Sequence, residues 1–278
     1  MVNLLYKHTT LMEQLSAVYF KLLSLTLARY FIIAGVFFIL YYVFKPARAF
    51  KNKIQTRYAQ KKDFLREIGH SVQTSFILAG VGVFALFLSA KGYTKVYHQL
   101  TTADWWYVPL SLAISLIIHD TYFYWMHRVL HHPAVFKYAH LVHHKSTTPS
   151  PWAAYSFHIL EAVAEGLVLL IIVLVLPVHK LTIALFILFG FIINVYGHLG
   201  YEIAPRRFRN SILFEIFNSS VYHNLHHSKF RGNYGLYFRL WDRLMKTENP
   251  DYVKEYDKIQ AKRFESRVEQ GRNLPLLQ

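Results

Sequence analysis

Long stretches without charged residues constrain this chain more than any other feature of its sequence. Residues 71–90 are twenty positions without a charge, which is enough to cross a bilayer as a helix. Residues 22–44 form a second stretch, interrupted only by Arg29, and residues 181–197 form a third. Apolar runs of this length are typical of membrane-spanning helices, so the sequence predicts a polytopic membrane protein.

Two further segments are mostly apolar. One runs from Trp105 to Ile118 and continues without a break into His119. The other covers 159–178 and is joined to the stretch 181–197 by Pro177 and the residues after it, which predicts a helical hairpin. The expected fold is therefore all-α, with about four to five transmembrane helices, of which the last two form the hairpin.

The basic residues are distributed unevenly between the loops of this predicted protein. The loop 45–70 carries eight Lys and Arg, the loop 91–104 carries two, and residues 199–278 carry fourteen. Cytoplasmic loops are enriched in Lys and Arg, so the first loop and the C-terminal region are predicted to be cytoplasmic. Topology and contact with anionic lipid explain the net charge of +15, and no nucleic-acid partner is expected.

We divide the chain into three regions on this basis. Residues 1–104 contain the first two transmembrane helices, preceded by an interfacial helix that leads into the first span. Residues 105–250 contain most of the histidines, in what we expect to be a catalytic domain with a helical cap on the cytoplasmic side. Residues 251–278 form a charged cytoplasmic tail, with a surface helix around 251–270.

Clustered histidines are the main candidate functional residues of this sequence. Thirteen of the 16 His lie between positions 119 and 227, and the chain contains no Cys, which excludes thiolate metal sites and cysteine nucleophiles. Spacings of three and four residues place imidazoles on one helical face, where they can converge on a cation. His198 stands alone at the end of a predicted span, where an ionisable residue suggests function. The three clusters are His127 and His131, then His140, His143 and His144, then His223, His226 and His227.

The clusters can share one site, because the hairpin between the second and third clusters returns the chain to the same face. Imidazole suits iron, zinc, copper and nickel, and so many His favour two ions over one. Three functions are open at this point: an enzyme, a metal transporter and a structural protein with a zinc-stapled cytoplasmic domain. A transporter should distribute His along a path to both faces, which disfavours it here.

Four segments carry a resemblance to a known family. They are residues 119–144 (HDTYFYWMHRVLHHPAVFKYAHLVHH), 148–158 (TPSPWAAYSFH), 197–202 (GHLGYE) and 223–247 (HNLHHSKFRGNYGLYFRLWDRLMKT). Together they resemble the fatty acid hydroxylase/sterol desaturase superfamily, and in particular its sterol C5-desaturase-like bacterial members. The resemblance covers roughly residues 105–250. The chain departs from the family pattern at Ile159 and Lys246, neither of which touches an expected ligand, and at Asn194, where members of the family often have a further His.

The resemblance implies a non-haem diiron membrane oxygenase that uses O2 and external electrons to desaturate or hydroxylate a lipid C–H bond, sterol-like or fatty acyl. It implies a bacterial inner-membrane location, and a separate electron donor such as a cytochrome b5, a ferredoxin or a reductase. Secondary candidate ligands are His119 and His158. The ligands that the family pattern implies for two iron ions are His127, His131, His140, His143, His144, His198, His223, His226 and His227.

One further prediction concerns Asp120. Asp120, Tyr124, His127 and His131 share one stripe of a helix by their spacing. Metal-bound imidazoles usually donate their second N–H to a carboxylate or a carbonyl. We therefore expect Asp120 either to support a ligand from another cluster, such as one of 223–227, or to form an ion pair with a nearby Arg or Lys.

Overall fold

A computed structural model of the chain describes residues 10–44 and 49–272. Residues 1–9 of the predicted interfacial helix, Lys45 and Arg48 of the basic loop, and 273–278 of the predicted tail lie outside the described residues.

The described residues are almost entirely helical, which confirms the predicted all-α class. Helix α1 continues into a π-helix at Ile39–Val43, and short 3-10 helices lie at Thr102–Asp104, Pro151–Tyr155 and Arg206–Asn210. The α-helices are α1 (Leu11–Phe38), α2 (Ala49–Asn52), α3 (Lys61–Ala90), α4 (Tyr107–Leu130), α5 (Pro133–Ala139), α6 (Leu141–His144), α7 (Ile159–Val175), α8 (Lys180–Gly197), α9 (Ile212–Ile216), α10 (Ser220–Lys229), α11 (Leu240–Leu244) and α12 (Tyr252–Arg272).

Three helical segments are long and apolar enough to cross a membrane: Leu11–Val43, Lys61–Ala90 and Lys180–Gly197. They confirm a polytopic membrane protein. Helices α4 and α7, which the sequence also predicts as spans, are not among them, and α7 has only 17 residues. The crossings beyond these three therefore remain a prediction.

The first helix runs from the predicted interfacial segment into the apolar span as one continuous helix. A capping box begins α1, in which Thr10 Oγ1 accepts from the backbone N–H of Glu13 and the Glu13 carboxylate accepts from the N–H of Thr10. The helix then continues to Phe38 without interruption. No Pro interrupts these residues, so nothing in the local sequence separates the amphipathic start from the apolar span.

Helices α7 and α8 follow one another through a short connection, and this connection is attached to the loop after α3. Their arrangement as a membrane hairpin stays a prediction. Strands β1 (Val96–Tyr97) and β2 (Val178–His179) pair in parallel, with Val96 opposite Val178. The N–H of Lys95 donates to the carbonyl of Val173 over 2.8 Å. These backbone bonds fix the connection between α7 and α8 to the chain that leads from α3 to α4.

The clustered histidines lie at the other end of these helices. His127 lies near the end of α4, and the others lie within a cap that we define as residues 131–158 and 198–264. Helix α12, predicted as a surface helix, is helical as expected but buries one face, with Tyr252, Tyr256 and Ile259 packed against α9 and α10. The cap thus has its own hydrophobic core beside the long helices.

Candidate metal centre

The structure brings all nine primary candidate histidines together in two groups. Within each group the potential ligand nitrogens all lie within 4.8 Å of one another. The five-histidine group contains His127, His131, His140, His144 and His226, and the four-histidine group contains His143, His198, His223 and His227.

Each H-x-x-H-H cluster contributes to both groups. His143 and His144 are adjacent in α6, but their side chains point to different groups because neighbouring residues on a helix diverge by about 100°. In α10, His223 and His227 are four residues apart and share the four-histidine group, whereas His226 belongs to the other. The doubled histidine in each cluster is therefore what connects the two groups.

Hydrogen bonds to carbonyl oxygens fix the protonation of several rings. The Nδ1 atom of His127 lies 2.9 Å from the carbonyl of Tyr234, and that of His198 lies 2.8 Å from the carbonyl of Asn194. His226 Nδ1 lies 2.7 Å from the carbonyl of Gly232. A carbonyl only accepts, so each Nδ1 carries the proton, and Nε2 of each neutral ring presents a lone pair.

The Nε2 atoms face one another at short range. In the four-histidine group, Nε2 of His198 is 3.0 Å from that of His223 and 3.2 Å from that of His227. Converging lone pairs repel unless a cation lies between them. Nitrogen ligands at about 2.0–2.1 Å from an ion are roughly 3.0–3.4 Å apart, depending on the coordination geometry. The residues present therefore fit metal ions.

Burial keeps these imidazoles in the form that binds metal. Desolvation lowers the pKa of His226 to about 4, and it lowers the pKa of His223 and His227 well below the usual value. Neutral imidazole is the ligand form, so the site is ready to bind a cation at neutral pH without first losing protons.

A carboxylate that the sequence pattern did not single out supports the cluster. Oε1 of Glu161 lies 2.7 Å from Nδ1 of His140, and both side chains are buried. This is the carboxylate–histidine contact that orients a ligand ring and raises its basicity. The available signal was an acidic residue in an apolar predicted span, the same reasoning that selected His198.

Asp120 has different partners from those expected. Its Oδ1 accepts from the backbone N–H groups of Leu236, Tyr237 and Phe238 at 2.7–3.1 Å. Among the described residues it contacts neither a cluster imidazole nor a cationic side chain. The helical stripe places Asp120 on the correct face of α4, but the cap presents backbone donors there. Asp120 holds the segment that follows Tyr234.

The same segment is held from its other side by Asp242. Its carboxylate accepts from the N–H groups of Tyr234 and Gly235 at 3.0 and 2.7 Å. Nearby, Gly232 has a φ of +78°, and a Cβ at this position would lie 2.6 Å from the carbonyl oxygen of Thr247. Glycine is required here because a side chain would displace the carbonyl that accepts from His226.

Glu202 fixes His198 relative to α10 from within the GHLGYE segment. Its carboxylate accepts from Tyr196 Oη at 2.7 Å and from the N–H of Val221 at 3.2 Å. These contacts connect the end of α8 to the start of α10. The four-histidine group draws ligands from both helices, so this buried carboxylate sets their separation.

The secondary candidates lie outside both groups. His119 Nδ1 lies 2.8 Å from Tyr237 Oη, and His158 accepts from the N–H of Leu160 at the start of α7. Asn194 donates from its side chain to the carbonyl of Ala154, over 2.8 Å. None of the three joins the converging nitrogens.

An apolar cavity of about 530 Å³ lies between α1, α3, α7 and α8. Phe157, Glu165 and Asn194 line both this cavity and the pocket that adjoins the histidines. The ring of Phe157 lies 5.1 Å from that of His143, measured between ring centres. Cavities of this size and character bind small apolar ligands. A lipid in this cavity would reach the histidine groups.

The fold and the site define a membrane protein with two histidine groups, and comparisons with known proteins show which family it resembles. The fatty acid hydroxylase family model matches residues 112–247. The Delta(7)-sterol 5(6)-desaturase of Leptosphaeria maculans is 31% identical over 220 residues, which are 77% of this chain and 56% of that protein. Lathosterol oxidase of Rattus norvegicus is 33% identical over 190 residues, which are 66% of this chain and 60% of the relative.

The chain belongs to the fatty acid hydroxylase family, and its similarity to sterol desaturases places it on the sterol C5-desaturase-like side of that superfamily. It spans 56–60% of the length of the relatives just named. No solved structure matches the chain significantly.

Proposed function

We propose that the nine clustered histidines hold two iron ions and that the protein is an O2-dependent membrane oxygenase that desaturates or hydroxylates a lipid C–H bond. The single observation that carries this proposal is the position of the two histidine groups beside a lipid-sized cavity. Imidazole ligands suit iron, and the family relationship favours it over the other metals that imidazole binds.

When bound, the iron pair supplies the activation of O2 with two external electrons. Desaturation removes two hydrogens from the lipid and, with two electrons and two protons, reduces O2 to two waters. Hydroxylation transfers one oxygen atom to carbon and releases the other as water. Both outcomes begin at a C–H bond, so both fit the same cavity.

The residues of this chain position the ions and the lipid. The carbonyls of Tyr234, Asn194 and Gly232 orient the ligand rings, and Glu161 supports His140. Phe157 lines the cavity, and its ring lies 5.1 Å from that of His143 between ring centres. The apolar lining excludes water from the reacting C–H bond, which protects a reactive oxidant from side reactions.

Electrons enter, in this proposal, where the five-histidine group comes closest to the surface. Phe230 is 39% exposed, and its ring lies 4.9 Å from that of His144 between ring centres. Lys145, Lys229 and Arg231 are exposed nearby in sequence, and neither 121–160 nor 216–241 contains an acidic residue. A separate acidic donor, such as a cytochrome b5, a ferredoxin or a reductase, fits this cationic surface.

The protein is integral to a membrane, and we propose that the histidine cap and the C-terminus face the cytoplasm of a bacterial inner membrane. The eight basic residues of 45–70, against two in 91–104, support this orientation. A reporter fused at the C-terminus should read as cytoplasmic and one inserted near Thr101 as external. The reverse pattern would contradict the orientation.

The other functions considered from the sequence receive less support. A transporter needs ligands along a path between both faces, whereas both histidine groups lie together at the cap end of the helices. A zinc-stapled structural protein would use the same ligands. It would have no use for a lipid-sized cavity that opens beside them.

The test is reconstitution of purified protein in lipid, loaded with iron and supplied with a ferredoxin, its reductase and O2. We expect a double bond or a hydroxyl group in the lipid, detected by mass spectrometry, and no product with His143→Ala. A protein that holds two zinc ions and yields no product with iron would contradict the proposal.

A further inference from the structure

The cavity is polar at one end and apolar at the other. Along α8 its lining runs from Asn194, one turn before His198, to Ala184, ten residues earlier and about 15 Å further along the helix. Towards the far end the lining is mainly apolar, with Leu22, Leu169 and Leu188, and the imidazole of His119 lines the wall beside Phe186. The polar end of the cavity therefore faces the histidine groups.

Arg29 is the cationic side chain among the described residues that line this cavity. It lies in the apolar span of α1, where a charge is costly and marks a functional site by default. Its guanidinium donates to Tyr155 Oη over 3.2 Å, and its Nε is buried without a hydrogen-bond partner among the described residues. No carboxylate in the described part of the chain lies within ion-pair distance of it.

Ring contacts connect Arg29 to the histidine end of the cavity. The ring of Tyr155 lies 6.3 Å from that of Phe157, which lies 5.1 Å from that of His143. On the other side, the guanidinium lies 5.7 Å from the centre of the Phe191 ring. Aromatic residues thus hold the Arg29 guanidinium, which still has N–H groups free to donate. Two aromatic rings, those of Tyr155 and Phe157, lie between it and the candidate ligand His143.

We propose that Arg29 binds the oxygen-bearing end of the lipid substrate, so that the lipid lies with its polar end beside the histidine groups and its hydrocarbon towards Leu22 and Leu188. The inference rests on the proposed function for its chemistry, but the binding event itself needs neither metal nor O2. It predicts that the carbon attacked lies a few bonds from an oxygen substituent, not near the end of the hydrocarbon.

The partner chemistry is an oxygen that accepts a hydrogen bond from a guanidinium. A sterol-type alcohol and a fatty carboxylate both provide such an oxygen. Loss of a hydrogen bond between a ligand and a charged side chain lowers the affinity for that ligand roughly 10–100-fold. Lipids that lack the oxygen should therefore bind more weakly by this factor.

The experiment measures lipid binding to metal-free protein in nanodiscs by native mass spectrometry. Two pairs of probes are compared, a sterol alcohol with its 3-deoxy analogue, and a long-chain fatty acid with its methyl ester. In the unaltered protein, one pair should show the 10–100-fold preference for the free oxygen group. The pair that shows it identifies the oxygen chemistry that Arg29 recognises.

Arg29→Leu should bind both members of that pair alike, at the weaker affinity, while Arg29→Lys should keep part of the preference. Leu22→Ala, at the apolar end, is the matched control and should weaken both members equally. An Arg29→Leu protein that keeps the full preference would overturn the proposal, as would no preference for either pair in the unaltered protein. Because no turnover is measured, a failure of the oxygenase function would not alter this result.

Discussion

The two histidine groups have different neighbouring residues and different burial, although both present converging imidazole nitrogens. The five-histidine group has a carboxylate on one ring, through Glu161 and His140, and includes His131, which is partly exposed. All members of the four-histidine group are buried. In the described residues, the Nδ1 atoms of His143 and His198 contact backbone carbonyls. One group is thus supported by a carboxyl group and lies near the surface, and the other has backbone partners and is enclosed.

The surroundings of the two histidine groups suggest that the groups have different roles. The five-histidine group contacts Phe136 and Phe230 on the surface side. The four-histidine group contacts Phe157 and Asn194, which line the lipid cavity. In the proposed enzyme, electrons would arrive beside the first group and the lipid beside the second. The following variants test whether the difference between the groups is functional.

The largest effect should come from removing a ligand of the smaller group. His198→Ala leaves three imidazoles there, so we expect about one iron per chain in place of two, and activity below detection. His131→Ala leaves four imidazoles in the larger group and should retain both ions, more weakly held. Metal analysis of the purified proteins checks this, and equal losses in the two variants would remove the distinction.

Glu161→Gln should weaken one group selectively. It replaces the carboxylate on His140 with an amide, and loss of such a contact typically costs 10–100-fold in metal affinity or activity. Titration with a chelator should show one ion released more easily and the other unchanged. Glu165→Gln, one turn along α7, is the matched control, since no hydrogen bond connects Glu165 to a cluster histidine in the described residues. If both variants release metal alike, the effect is general and not specific to His140.

Gly232→Ala should disturb the larger group through the backbone. The added Cβ would lie 2.6 Å from the carbonyl oxygen of Thr247, and the positive φ adds strain of about 1–3 kcal/mol. We expect a lower melting temperature and a several-fold weaker hold on metal through His226. Gly69→Ala, where nothing lies within 4 Å of the new methyl group, should leave both unchanged or slightly improved. Normal metal affinity in a folded Gly232→Ala protein would show that His226 tolerates the shift.

Asp120→Asn should have the smallest effect. The amide oxygen can still accept from the N–H groups of residues 236–238, but without the charge that strengthens those bonds. The difference between charged and neutral hydrogen bonds predicts a loss of about 1 kcal/mol of stability. Thermal unfolding with metal analysis measures it. A large loss of metal with unchanged stability would mean that Asp120 acts on a ligand after all.

The histidine site was largely predictable because the spacing of residues along a helix fixes which side chains share a face. Residues three or four apart on a helix share a face in any fold, so His127 with His131, and His223 with His227, could be assigned together. The division of each cluster between two groups depends on packing between α4, α6, α8 and α10, which local periodicity does not contain. His198 could be selected as an ionisable residue at the end of a predicted span, and the family resemblance then placed it among the expected ligands.

The two contacts that the sequence did not predict have a common physical origin. The stripe of α4 predicts the direction in which Asp120 points, but not the backbone that meets it. Glu161 lies in an apolar predicted span, but its partner His140 is 21 residues away and is reached by tertiary folding alone. The continuity of α1, in contrast, is a local feature that follows from the absence of a helix breaker in the sequence.

The paired strands β1 and β2 have a consequence for the length of the lipid. Val178 of β2 packs with Ile172, Val168 and Phe186, and the last two also line the far end of the cavity. Backbone hydrogen bonds between two loops hold the strand against which these side chains pack. In the proposed enzyme, the floor that these side chains form limits the length of the lipid: a hydrocarbon chain longer than the distance from the histidines to this floor must bend or leave between the helices.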